Sequence, residues 1–244
     1  MSVPIRELNF AELEPRWRPA AGWPWTLADE SPTLADYLPA AQLASCSAYG
    51  RLLHPLWEDL AIGEWDSAWP TEEDAPLHRG ELDTSFSARG LKWHDLAEDL
   101  EIDYVPGMAL TEFLPHLPAQ RWPRALVGPV DGSLDMERLR HVIALTRKIV
   151  DPAECHFAWC EERCFTPQPR SYAAELEAVT ELFDGEHTMG SPTVWGDAAG
   201  SFLLVTPPHR AFTVLAGPEE WIHELCEHKP LDAERLDPAA VLTR

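Results

Sequence analysis

Phe202-Leu-Leu-Val-Thr206, then Pro207-Pro-His-Arg210, then Ala211-Phe-Thr-Val-Leu-Ala216, with Gly217-Pro218-Glu219-Glu220-Trp221 directly behind, is the stretch that decides the fold. The two apolar, β-branched runs read as strands. Pro207 and Pro208 have no N–H to give a sheet ladder and therefore belong in the turn between them. Gly217 and Pro218 open a helix, Glu219 and Glu220 suit the positive end of its dipole, and Trp221, Ile222 and Leu225 form its packed face. Both faces of the two strands carry apolar side chains, so the sheet is expected to be covered on both sides.

Working outward, Thr193 to Trp195 supplies a further strand, and Cys155 to Cys160 another, with Phe157 and Trp159 on one face. Between them, Tyr172 to Phe183 has helical spacing, although an extended segment near Arg170-Ser-Tyr172 is the alternative. Leu134 to Val150 is the clearest helix. Ser133 is its expected N-cap, Leu139, Val142, Ile143, Thr146 and Ile149 make the buried stripe, and Asp151-Pro152 ends it. Leu91 to Ile102 is a second amphipathic helix, built on Trp93, Leu96, Ala97 and Leu100. Asp36 to Tyr49 reads as a short helix, Ala61 to Gly80 as an acidic loop, and Pro106 to Pro129 as a Pro-rich connection. The front is dense in Pro and Trp, which rules out long helices there. The expected architecture is α+β, a mostly antiparallel sheet packed by several helices. Residues 1–40 form an irregular arm on a single domain of residues 41–244, and a smaller lobe over 41–130 remains open.

A formal charge of −22, from 41 acidic and 19 basic residues, argues against nucleic acid as a partner, because phosphate affinity is built from Lys and Arg. It favours a basic protein partner, or simply a soluble surface. Mimicry of nucleic acid would need the acids on one face; here they are scattered, with a denser cluster from Glu58 to Glu81. No apolar run spans a bilayer and the N-terminus has no secretion signal, so a cytoplasmic protein is expected. Five cysteines, an odd number, fit reduced thiols.

Tyr49-Gly-Arg51-Leu-Leu-His54-Pro55, Cys155-His-Phe-Ala-Trp159, and Ser191-Pro-Thr-Val-Trp195 before the Thr-ending strand Phe202–Thr206 together resemble a group of uncharacterised proteins common in high-GC bacteria. The resemblance spans most of the chain. It departs after the late strand, where Pro207-Pro208-His209 replaces acidic residues. It implies no activity, so no role is carried over.

The remaining constellations point weakly to chemistry. His223 and His228 stand five apart, about 140° around a helix, which fits neither order of the zinc-helix motif. Cys155 and Cys160 on one strand would lie roughly 16 Å apart, too far for one zinc or a disulfide. Cys160 could meet Cys164 only across a turn, and Cys164, beside Arg163 and near His156, lacks a positioned base. No phosphate loop and no nucleophile elbow are present, and no metal or cofactor is expected. Arg51 and His54, three apart, could share a pocket that holds an anion, or pair with carboxylates. Eleven tryptophans could line a groove or simply fill the interior. Two functional readings follow. The first is a non-catalytic binding or immunity-like protein that engages a basic partner. The alternative is an enzyme of unrecognised type with a site near Arg51, His54, Trp159 and Trp195, in which His54 and a carboxylate would do acid–base work.

Overall fold

The computed structural model describes residues 4–17, 33–62, 88–129, 131–160, 168–183, 188–239 and 242. The strands are β1 (Arg6–Glu7), β2 (Ala48–Leu53), β3 (Leu56–Asp59), β4 (Ala88–Leu91), β5 (Leu126–Val127), β6 (Cys155–Trp159), β7 (Arg170–Ala174), β8 (Val194–Asp197), β9 (Leu203–Val205), β10 (Phe212–Gly217) and β11 (Ala233–Leu236). The helices are α1 (Phe10–Trp17), α2 (Leu34–Tyr37), α3 (Ala40–Ser45), α4 (Trp93–Asp99), α5 (Met136–Ile149), α6 (Val179–Leu182) and α7 (Glu219–Glu227). The fold is α+β.

The hairpin expected from the sequence is the middle of an eight-stranded sheet, ordered β1-β7-β6-β8-β9-β10-β2-β11, with every neighbouring pair antiparallel. Val214 stands opposite Val205 and Leu215 opposite Leu204. Because side chains alternate along a strand, this register sends Leu203, Val205, Phe212 and Val214 into one core and Leu204 and Leu215 into the other. The sheet is thus covered on both sides. One side packs α1, α2, α4 and a small second sheet, β4-β3-β5, through Leu13, Leu34, Trp93, Leu56 and Leu126. The other packs α5, α6 and α7 through Leu139, Val142, Val179, Trp221 and Ile222.

Several boundaries differ from the sequence reading. The expected helix from Asp36 to Tyr49 is two short helices, α2 and α3, followed by a strand. Pro39 lacks the N–H that a continuing helix needs, and residues 48–53 are captured by pairing with both β10 and β11. The helical expectation from Tyr172 fails at its start, since β7 lies hydrogen-bonded between β6 and β1 as far as Ala174. Asp135, not Ser133, caps α5, accepting from the N–H groups of Glu137 and Arg138 at 3.0 and 3.1 Å. Ser133 instead bonds Ser191, whose backbone N–H donates to its hydroxyl at 2.9 Å. Gly217 ends a strand, and Pro218 is the cap from which α7 starts. Within the front segment, α1 buries Leu13 and Trp17 in the core. The expected arm over residues 18–32, most of the acidic loop of 61–80 and Cys164 lie outside the described residues.

Candidate functional site

The four residues singled out from the sequence are all buried, at 0–1% exposure. Trp159 donates its indole N–H to the Gly190 carbonyl at 2.9 Å and meets Tyr172 edge-on. Trp195 stacks on Phe157 and meets Phe202 edge-on, and its indole N–H has no hydrogen-bond partner among the described residues. Both rings belong to the core under α5 and α7. His54 Nε2 bonds the Thr213 hydroxyl at 3.1 Å, which in turn bonds Thr206 at 2.9 Å.

Arg51 does not join this group. It projects on the opposite face of the sheet, with its guanidinium 5.4 Å from the Phe212 ring centre. The expectation that Arg51 and His54 share one pocket is therefore corrected. A spacing of three unites residues on a helix but divides them across a strand, where the period is two. What Arg51 meets is Glu234 on the edge strand β11, directly opposite in register. Arg51 Nε donates to Glu234 Oε1 at 2.7 Å, and Nη2 lies 2.5 Å from the same oxygen.

This ion pair is one part of a larger node. Glu234 also accepts from the Tyr104 hydroxyl at 2.9 Å and from the Gly107 N–H at 3.0 Å. Gly107 has φ of +97°, a conformation that side chains rarely allow, and Arg51 adds a 3.4 Å bond to the Met108 carbonyl. Two residues back along the chain, Asp232 accepts from the Trp93 N–H at 2.7 Å, at the start of α4. Lys92 donates to the Leu231 carbonyl at 3.3 Å. Burial holds the Asp232 carboxyl above its ordinary range and pushes the Tyr104 phenol well up, the latter reinforced by the Glu234 charge. The segment from 92 to 108 is thus riveted at both ends to the edge of the main sheet.

Between those rivets, α4 and the turn after it present Asp95, Glu98, Asp99, Glu101 and Asp103, all exposed. Their alternate positions Trp93, Leu96 and Ala97 enter the core, which is why the charges share the outer face. None of the five makes an ion pair among the described residues, whereas Arg89, Arg147, Arg170 and Arg235 are each held by a carboxylate of this chain. Val105, 61% exposed, follows directly. Fixed carboxylates around an exposed apolar residue can attract and orient a cationic surface.

The thiols do not suggest chemistry. Burial pushes Cys155 up to about 12, helped by the Asp197 charge, and Cys226 up to about 11, so both stay protonated at neutral pH. Cys155 lies in the core under α5 and α7 and forms no disulfide among the described residues. His228 pairs with His141 of α5, Nε2 to Nδ1 at 3.1 Å, while His223 is exposed. Among the described residues no cluster of three or more His, Cys, Asp or Glu has metal-binding geometry. No helix is long and apolar enough to cross a membrane.

Sequence reading missed Glu234, Asp232 and Tyr104. The alternation in Ala233-Glu-Arg-Leu236 was the one local signal, and only pairing with β2 brings Glu234 to Arg51. No protein-family model matches this chain, and no match was found among curated proteins or solved structures.

Proposed function

We propose that the protein is a non-catalytic, cytoplasmic binding protein, immunity-like or regulatory, that docks on a basic protein partner through the face formed by α4 and the turn to Val105. The observation that carries this reading is the set of five exposed carboxylates, without an ion pair among the described residues, on a segment clamped to the sheet edge by Asp232 and Glu234. Clamping matters because a surface that is already ordered loses little freedom on docking. Charge of this kind sets association rate and partner choice more than affinity.

The test uses a decalysine peptide followed by fluorescence anisotropy at 50 and 300 mM salt. One variant neutralises Asp95, Glu98, Asp99, Glu101 and Asp103 to Asn or Gln. The control does the same to five exposed carboxylates elsewhere, Glu137, Glu181, Glu220, Glu227 and Asp237. The first variant is expected to lose about tenfold or more in affinity and most of the salt dependence, and the control much less. Equal losses in both variants would locate the effect in total charge and defeat the proposal.

A further inference from the structure

We infer that Arg210 anchors a binding site for a small oxyanion, a carboxylate or phosphate, at the turn between β9 and β10. Arg210 is 5% exposed, and its Nη1 is buried without a hydrogen-bond partner among the described residues. Among the described residues no carboxylate forms an ion pair with it, in a chain that carries 41 of them. The other deeply buried arginine, Arg51, has Glu234 at 2.5 Å. A guanidinium cannot shed its proton to escape the interior, so an isolated one is among the costliest groups to bury. A sequence that neutralises Arg51, Arg147 and Arg235 internally but leaves Arg210 open leaves room for a counter-charge from outside.

The backbone there is held from two directions. Arg210 N–H donates to the Pro207 carbonyl at 3.1 Å, closing the turn, and its own carbonyl accepts from Gly132 N–H at 2.9 Å. The flanking strand ends carry the hydroxyls of Thr206 and Thr213, with His54 bonded to Thr213. Asp135 lies three residues beyond Gly132 and has its own unpartnered Oδ2. Its Oδ1 accepts from two backbone N–H groups at α5 and lies 3.6 Å from Arg138, and it forms no ion pair with Arg210. A planar fork of N–H donors suits the paired oxygens of a carboxylate or phosphate.

The experiment measures thermal unfolding with 30 mM phosphate, acetate or chloride at matched ionic strength and pH 7.5. Phosphate or acetate should raise the wild-type midpoint by about 3 °C over chloride. General salting-out also stabilises proteins, so the increment must vanish in Arg210→Met and shrink in Arg210→Lys. Phosphate alone acting would point to a phosphorylated ligand, and acetate alone to a carboxylate. An increment that survives in Arg210→Met, or no increment over chloride, overturns the assignment. Should Arg210→Met fail to fold, the guanidinium Nε–Hε resonances of the wild type provide a second reading. One of them, missing in Arg210→Lys, should move saturably with phosphate or acetate, and its staying fixed with both would reject the site.

Discussion

At the scale of single residues, Arg51 and Glu234 carry the sharpest energetic consequence. Their side chains are 1% and 11% exposed, so each depends on the other for its solvation. Removing one partner of such a pair leaves a charge uncompensated and costs about 3–5 kcal/mol. Glu234→Ala strands Arg51, Tyr104 and the Gly107 N–H together, whereas Arg51→Met leaves Glu234 with two donors and an edge toward water. Urea unfolding should therefore rank Glu234→Ala as the more damaging of the two; the reverse order would mean that the node is not centred on Glu234. That Arg51 would find a carboxylate was one of two readings open in the sequence. Which of the many carboxylates it would be was not, because the partner lies 183 positions away. The buried tryptophans were easier to foresee as packing, since so large an apolar surface is costly to leave in water.

At the scale of elements, the contact between β8 and β9 depends on the lack of a side chain at Gly196. A Cβ there would stand 2.4 Å from the Phe202 carbonyl oxygen, a backbone atom that cannot swing aside. Gly196→Ala should cost about 1–3 kcal/mol, seen as a lower urea midpoint with an unchanged slope; an unaffected midpoint would mean that the strands separate readily there. On the other side of the sheet, α5 and α7 meet through His141 and His228, with ring centres 4.9 Å apart. Burial, then His141, Lys148 and Lys92, depress the affinity of His228 for its proton, while Glu224 opposes them. Folded His228 thus titrates below the ordinary value of about 6.5, and the unfolded chain binds the proton more readily. Its contribution to stability is present above about pH 6.5 and is lost as the pH falls below it. Melting temperatures from pH 8 to 5 should drop more steeply for the wild type than for His228→Gln, and identical slopes would show that the pair plays no part. The hairpin, α5 and α7 were legible because each follows a local period with proper end signals. β2 was misread, and at β7 the extended alternative near Arg170-Ser-Tyr172 prevailed over the helical one, because helical spacing in a short run cannot compete with two neighbouring strands that offer their backbone groups.

At the scale of the whole molecule, a net charge of −22 means that compaction works against self-repulsion. Raising sodium chloride from 20 to 300 mM should increase the melting temperature by several degrees, as screening shortens to about 6 Å. A flat or falling response would imply that the acids are already neutralised in the fold. By itself, the sequence determined the class of architecture, the central hairpin with the helix behind it, and the acidic character, because these follow from local periodicity, turn chemistry and a sum over residues. Tertiary structure alone decided that Arg51 and His54 part to opposite faces, that Glu234 and Asp232 rivet the acidic segment in place, and that Arg210 is enclosed without a counter-charge among the described residues. The reason is physical: strand register and burial join residues far apart in the chain, and no property of either partner alone encodes the meeting.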